Sequence, residues 1–76
     1  MMTKQEIETT KKKFGENLQR IRKERNMSLL QVSYNCSLLN GRISEIEHGK
    51  HNIRLATILE LAKGLEIEPS RLLDFK

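Results

Sequence analysis

This sequence predicts an all-α fold, five short helices packed as one compact bundle, on three observations. Apolar residues recur at spacings of three and four along most of the chain, the period of helices buried on one face. Proline occurs once, at Pro69, so no linker divides the chain. The 76 residues suffice for one domain, of whose unfolded surface only roughly 60% can be buried.

Composition excludes several function classes. At 37% hydrophobic and 32% charged, the chain is too apolar for a disordered tail and too polar for a membrane protein. No stretch approaches the roughly 20 apolar residues of a spanning helix, and Met1 to Lys13 is polar where a signal peptide would be apolar, so a cytoplasmic protein is expected. Cys36 is alone and reads as a small core residue. His48 and His51 have no third ligand at metal spacing, so neither metal nor other cofactor is expected. The net charge of +4 favours a polyanionic partner, either nucleic acid or an anionic membrane surface.

Taken in order, Thr3 and Glu6 form a capping-box pattern, but Thr9, Thr10 and the run Lys11-Lys12-Lys13 weaken any helix started there. Residues 1–12 are therefore read as a weakly helical or frayed N-terminal arm and 13–76 as the domain. Phe14, Leu18 and Ile21 give the first helix, ending near Asn26. Ser28 and Gln31 repeat the capping box before Val32 and Cys36, and Ser37 ends a second helix of about two turns. Ile43, Ile46 and Glu47 face one way on a third, from about Leu39 to His48, closed by Gly49. Asn52 is the expected cap of a fourth, striped by Leu55, Ile58, Leu59, Ala62 and Leu65. Pro69 suits the first turn of a fifth, which carries Leu72 and Leu73.

Two short central helices joined by about three residues form the pattern of a helix-turn-helix, whose second helix enters the major groove of DNA. With Ile43, Ile46 and Glu47 turned inward, the 100° helical step puts Gly41, Glu45 and His48 opposite, flanked by Arg42 and Ser44. With Asn40 these form the candidate reading surface. Arg42 suits guanine O6 and N7, Asn40 suits adenine, and Glu45 suits the cytosine amino group. Asn40 is equally a helix cap, and Asn40-Gly41 a turn signal, which would start the helix one residue later.

The runs Ser28-Leu29-Leu30-Gln31-Val32, Ile43 to Lys50, Ile58 to Ile67 and Pro69 to Leu73, at fixed spacing, resemble the phage repressor and Cro-like helix-turn-helix family, of lambda-repressor-like fold. The resemblance spans about Phe14 to Phe75. It implies a transcriptional regulator, most simply a repressor, that binds double-stranded DNA. That it is not an enzyme is expected because so small a chain holds no convergent set of nucleophile, base and orienting group. The resemblance places phosphate contacts at Ser28, where the second helix begins, and at His48, Lys50, His51 and Asn52 after the third.

The same resemblance implies an ion pair between Arg22 and Glu47 beneath the recognition helix. The residues agree, because Glu47 lies one turn beyond Ile43 on the core face, where a lone carboxylate is costly to bury. Three positions depart from the family's pattern. Leu29 replaces a polar phosphate ligand, Gly41 stands where relatives carry a reading side chain, and Ser37 replaces a turn glycine expected to be left-handed. One short helix reads few base pairs, so a homodimer on a pseudo-palindromic operator is expected, with Leu72, Leu73 and Phe75 as its contact. A protein partner docked on Leu29 and Leu30 is the alternative.

Overall fold

Thr3 nucleates the first helix. Its hydroxyl accepts the Glu6 N–H at 3.1 Å, and the Glu6 carboxylate accepts the Thr3 N–H at 2.8 Å. In the computed structural model, which describes residues 1–76, helix α1 then runs unbroken over Lys4–Glu24. Residues 4–12 are therefore helical rather than a frayed arm. Once the costly first turn is capped, each further residue adds a backbone bond, and Lys11 pairs with Glu8 at 3.3 Å along the way.

Helix α2 follows at Leu29–Tyr34, α3 at Asn40–Glu47 and α4 at Leu55–Leu65. The expected fifth helix, Pro69–Leu73, is a 3-10 helix of five residues. Its proline supplies no N–H, and so short a segment closes i to i+3 bonds more readily than α-helical ones. Asn52 does not cap α4; Arg54 stands at the N-cap, without a side-chain bond. Asn40 does not cap α3 either, for it is the first residue of that helix and Leu39 precedes it.

Three helices stop in the same way. After α1, α3 and α4 the chain turns left-handed at Asn26 (φ 56°), Gly49 (φ 73°) and Glu66 (φ 59°). Met27, Lys50 and Ile67 then return their N–H groups to the carbonyls of Arg22, Glu45 and Ala62. Ser37 is not among the left-handed residues, contrary to expectation. The link between α2 and α3, residues 35–39, is longer than three residues and needs no such kink. Side chains hold it instead. Ser33 Oγ donates to the Leu38 carbonyl at 2.6 Å, Asn35 Nδ2 to the Gly64 carbonyl at 3.1 Å, and the Ser37 N–H donates to Glu60 Oε1 at 3.1 Å.

The core is one cluster. Phe14, Leu18 and Ile21 of α1 meet Val32 of α2, Ile43 and Ile46 of α3, and Leu61, Ala62 and Leu65 of α4, with Leu72 closing the end. Each fully buried leucine or isoleucine contributes about 1.5–3 kcal/mol. Asn17, on the same face of α1, is buried and donates from Nδ2 to the carbonyls of Arg71 and Leu72 at 3.0 and 3.1 Å, tying the 3-10 helix to α1.

The apolar positions do not all go inward. Leu72, expected at a dimer contact, is wholly buried within the chain and is unavailable to a partner. Leu55 and Leu59, expected in the core stripe of α4, face out, because the core covers only the face bearing Leu61, Ala62 and Leu65. Leu29 packs half-buried against the core, which leaves Leu30 without its proposed companion on the surface. Cys36 is half-buried, its thiol bonded to the Val32 carbonyl at 3.3 Å. No helix is long and apolar enough to cross a membrane.

Candidate nucleic-acid interface

Helix α3 is eight residues long, too short to be stable alone, so its orientation is set by what lies beneath it. Its inner face carries Ile43, Ile46 and Glu47, all buried. The two isoleucines enter the core, whereas Glu47 meets α1. Arg22 Nε donates to Glu47 Oε2 at 2.6 Å and Arg22 Nη2 to Oε1 at 3.1 Å, a two-pronged pair with side chains only 11% and 2% exposed. Gln19 Nε2 donates to the same carboxylate at 3.3 Å, and Arg22 Nη1 to the Met27 carbonyl at 2.9 Å. The partners of Glu47 thus span one turn of α1, and Arg22 extends the network into the α1–α2 link.

At the far end of α3 the two helix backbones nearly touch. A Cβ on Gly15 of α1 would stand 2.5 Å from the Ile46 carbonyl oxygen and closer still to that of Glu47. Sequence reasoning passed over Gly15, because nothing local distinguishes a glycine that permits close approach from any other mid-helix glycine.

The outer face of α3 presents Asn40, Gly41, Arg42, Glu45 and His48 to solvent, with Ser44 half-buried. Arg42 makes no ion pair within 4.0 Å and is free to reach a base or phosphate. Glu45 is engaged. His51 Nε2 lies 2.8 Å from Glu45 Oε1, so a base-reading candidate and a phosphate candidate are already joined. His48 Nδ1 bonds the Ser44 carbonyl at 2.7 Å, which points its other ring nitrogen outward.

Ser28 accepts the Gln31 N–H at 3.1 Å, and its own hydroxyl proton remains for an outside acceptor. Lys50 and Asn52 are exposed in the loop after α3. Arg54, which sequence reasoning missed, is exposed two residues on and adds a cation to the same rim. Its signal was there to read: a basic residue just before the apolar stripe of α4.

Two carboxylates, Glu45 at this surface and Glu60 of α4 against the α2–α3 link, are held below the usual carboxylate range. For Glu45 the main cause is the hydrogen bond from His51, aided by the charges of His51, Lys50 and Arg42. For Glu60 it is the backbone N–H of Ser37, then the Ser37 side chain. A depressed carboxyl stabilises the fold above its unfolded value of about 4.3 and loses that contribution as the pH falls through its lowered folded value. The link between α2 and α3 is therefore expected to loosen only in acid below about pH 4.3. In an NMR titration the Ser37 amide should move together with the Glu60 carboxyl, and independent titration of the two would contradict this.

Comparison with known proteins places this geometry among regulators. No family model matches the chain. It is 38% identical over 63 residues to the control protein C.BamHI of Bacillus amyloliquefaciens, covering 82% of this chain and 78% of that protein. Its structure is similar to that of the restriction-modification controller protein C.AhdI from Aeromonas hydrophila, with a TM-score of 0.76 and 33% identity over 80% of this chain and 92% of that one. It is also similar to the controller protein C.Esp1396I, solved as a tetramer with its natural 35 base-pair operator, with a TM-score of 0.78 and 25% identity over 86% of each chain.

Proposed function

Since the chain belongs to the restriction-modification controller proteins, Cro-like helix-turn-helix regulators, we propose that it binds operator DNA and regulates transcription of restriction-modification genes. The observation that carries this reading is the two-sided construction of α3. Its inner face is tied to α1 by the Arg22–Glu47 pair, and its outer face offers Asn40, Arg42, Ser44, Glu45 and His48. Such a helix can enter the major groove and meet base edges without repacking. Gly41 adds no side chain there and lets the backbone approach the groove.

Ser28, His48, Lys50, His51, Asn52 and Arg54 surround α3 and would hold phosphates, fixing register while the helix reads bases. Since one helix spans few base pairs, two copies bind half-sites about 34 Å apart. Their contact is built from the outward Leu73 and the half-buried Phe75, whose ring also packs edge-on against Phe14, with Leu55 and Leu59 as further exposed apolar surface. Selection of bound sequences from a random duplex pool tests the reading. A pseudo-palindrome bound by two or more copies is expected, and sequence-indifferent retention, or a single copy bound, would overturn it.

Arg42 and Lys50 should separate the two kinds of contact. Arg42→Ala is expected to cost about 1–3 kcal/mol at one preferred base pair and to relax specificity there. Lys50→Ala should weaken all sequences about equally and reduce the salt slope by about 1. Affinities measured on matched and single-mismatch duplexes across a salt series decide it. An equal loss on every sequence for Arg42→Ala would make that residue a phosphate clamp.

A further inference from the structure

Leu39, which immediately precedes α3, is 75% exposed, and no contact within the chain explains it. Its orientation is set by its neighbour. Leu38 packs against the core and its carbonyl accepts the Ser33 hydroxyl at 2.6 Å. The backbone at Leu39 is extended, with φ −76° and ψ 147°, close to the polyproline II conformation, in which successive side chains point about 120° apart. Holding Leu38 inward therefore turns Leu39 outward, beside Asn40 at the leading end of the reading helix.

This placement is unfavourable in the free protein on two counts. A large apolar side chain is left in water, and the N-cap position, where Ser, Thr, Asp or Asn would accept a first-turn N–H, makes no side-chain bond. The chain does use such caps elsewhere, at Thr3 for α1 and Ser28 for α2. Helix α4 also lacks one, but there the residue is Arg54, whose charge suits a phosphate. At α3 the uncapped position carries a leucine, whose only chemistry is apolar contact. Gly41, just beyond it, leaves open space, for a Cβ there would meet nothing within 4 Å.

In the major groove one base alone presents an apolar group, the 5-methyl of thymine. Resting on the DNA-binding reading above, we infer that Leu39 is a specificity-determining residue that packs against a thymine methyl at the leading end of α3. The cap is given up in the free protein, and burial of Leu39 against that methyl compensates in the complex.

The test begins with sequences selected from a random duplex pool, in which each thymine of the recovered half-site is replaced in turn by deoxyuracil, which lacks only the methyl. At one thymine per half-site the native protein should lose about fourfold in affinity, the value of burying one methyl. Leu39→Ala should show no loss at that position and keep the rest of the base preference. Leu39→Ser should likewise become indifferent to the methyl while its Tm rises about 4–8 °C, because the new hydroxyl caps α3. Selection that succeeds while no thymine is methyl-sensitive, or sensitivity that survives in both variants, overturns the inference and leaves operator binding standing. Failure to enrich any sequence overturns both.

Discussion

Gly15→Ala should cost about 3 kcal/mol of stability and most of the operator affinity, although residue 15 lies on α1, away from the reading face of α3. The added methyl would stand 2.5 Å from the Ile46 carbonyl oxygen and nearer still to that of Glu47. Those are backbone atoms in the last turn of α3, so no rotamer change relieves the overlap, and the helices must separate. The Ile46 carbonyl also accepts the Gly49 N–H at 3.0 Å, so displacing it disturbs the turn that leads to Lys50 and His51. Overpacking of this kind usually costs about 1–3 kcal/mol, and an unyielding backbone neighbour puts Gly15 at the upper end. Gly41→Ala is the control. Its Cβ meets nothing within 4 Å, and in a helix alanine is preferred to glycine by about 0.5–1 kcal/mol, so that variant should gain stability. Urea unfolding of the two variants measures both effects. A Gly15→Ala protein within about 0.5 kcal/mol of the native one would show that the α1–α3 approach is not tight.

Some features were legible in the sequence and others were not, and the difference lies in how local they are. The capping boxes at Thr3 and Ser28 and the left-handed Gly49 are decided within a few residues, and the chain displays them directly. The inward set of α3 is given by helical period alone. By contrast, the length of α1 was understated because Lys11 to Lys13 and two threonines suggest weakness, whereas a completed cap and an ion pair along the helix suffice to continue it. Leu72 and Leu55 carry the same side chain at helical spacing, yet one is buried and the other faces water. Only the way α4 and the 3-10 helix pack against their neighbours separates them. Glu60 and Asn17 were missed for the same reason, since a polar residue holding backbone groups 23 or 55 positions away has no signature in its own neighbourhood. At the candidate site, residue types were legible but engagement was not. Nothing in the sequence couples Glu45 to His51, six residues on, until the chain turns at Gly49.

Glu47→Ala should be among the most damaging substitutions, costing about 3–5 kcal/mol and weakening operator binding without removing a DNA contact. Glu47 is 2% exposed in its side chain and faces α1, so it touches no base. Its carboxylate is bonded by Arg22 through Nε at 2.6 Å and Nη2 at 3.1 Å, and by Gln19 at 3.3 Å. Removing it leaves a guanidinium only 11% exposed with no countercharge, and the desolvation already incurred by Arg22 is no longer offset. Arg22→Ala should be at least as costly, because it also abandons the Met27 carbonyl, which accepts Nη1 at 2.9 Å in the link leading to α2. With a total stability on the order of 5–10 kcal/mol, either single change consumes a large share. The double replacement Arg22→Met with Glu47→Leu removes both charges and refills the volume, so it should cost less than either alanine variant. Its α3 would still lack the two-pronged pair that fixes its orientation, so the double variant should recover more stability than operator affinity. A double-mutant cycle in urea, with affinity measured on the same proteins, separates these outcomes. If the single effects simply add and each stays under about 0.5 kcal/mol, the value of a surface pair, then Arg22 and Glu47 do not position the reading helix.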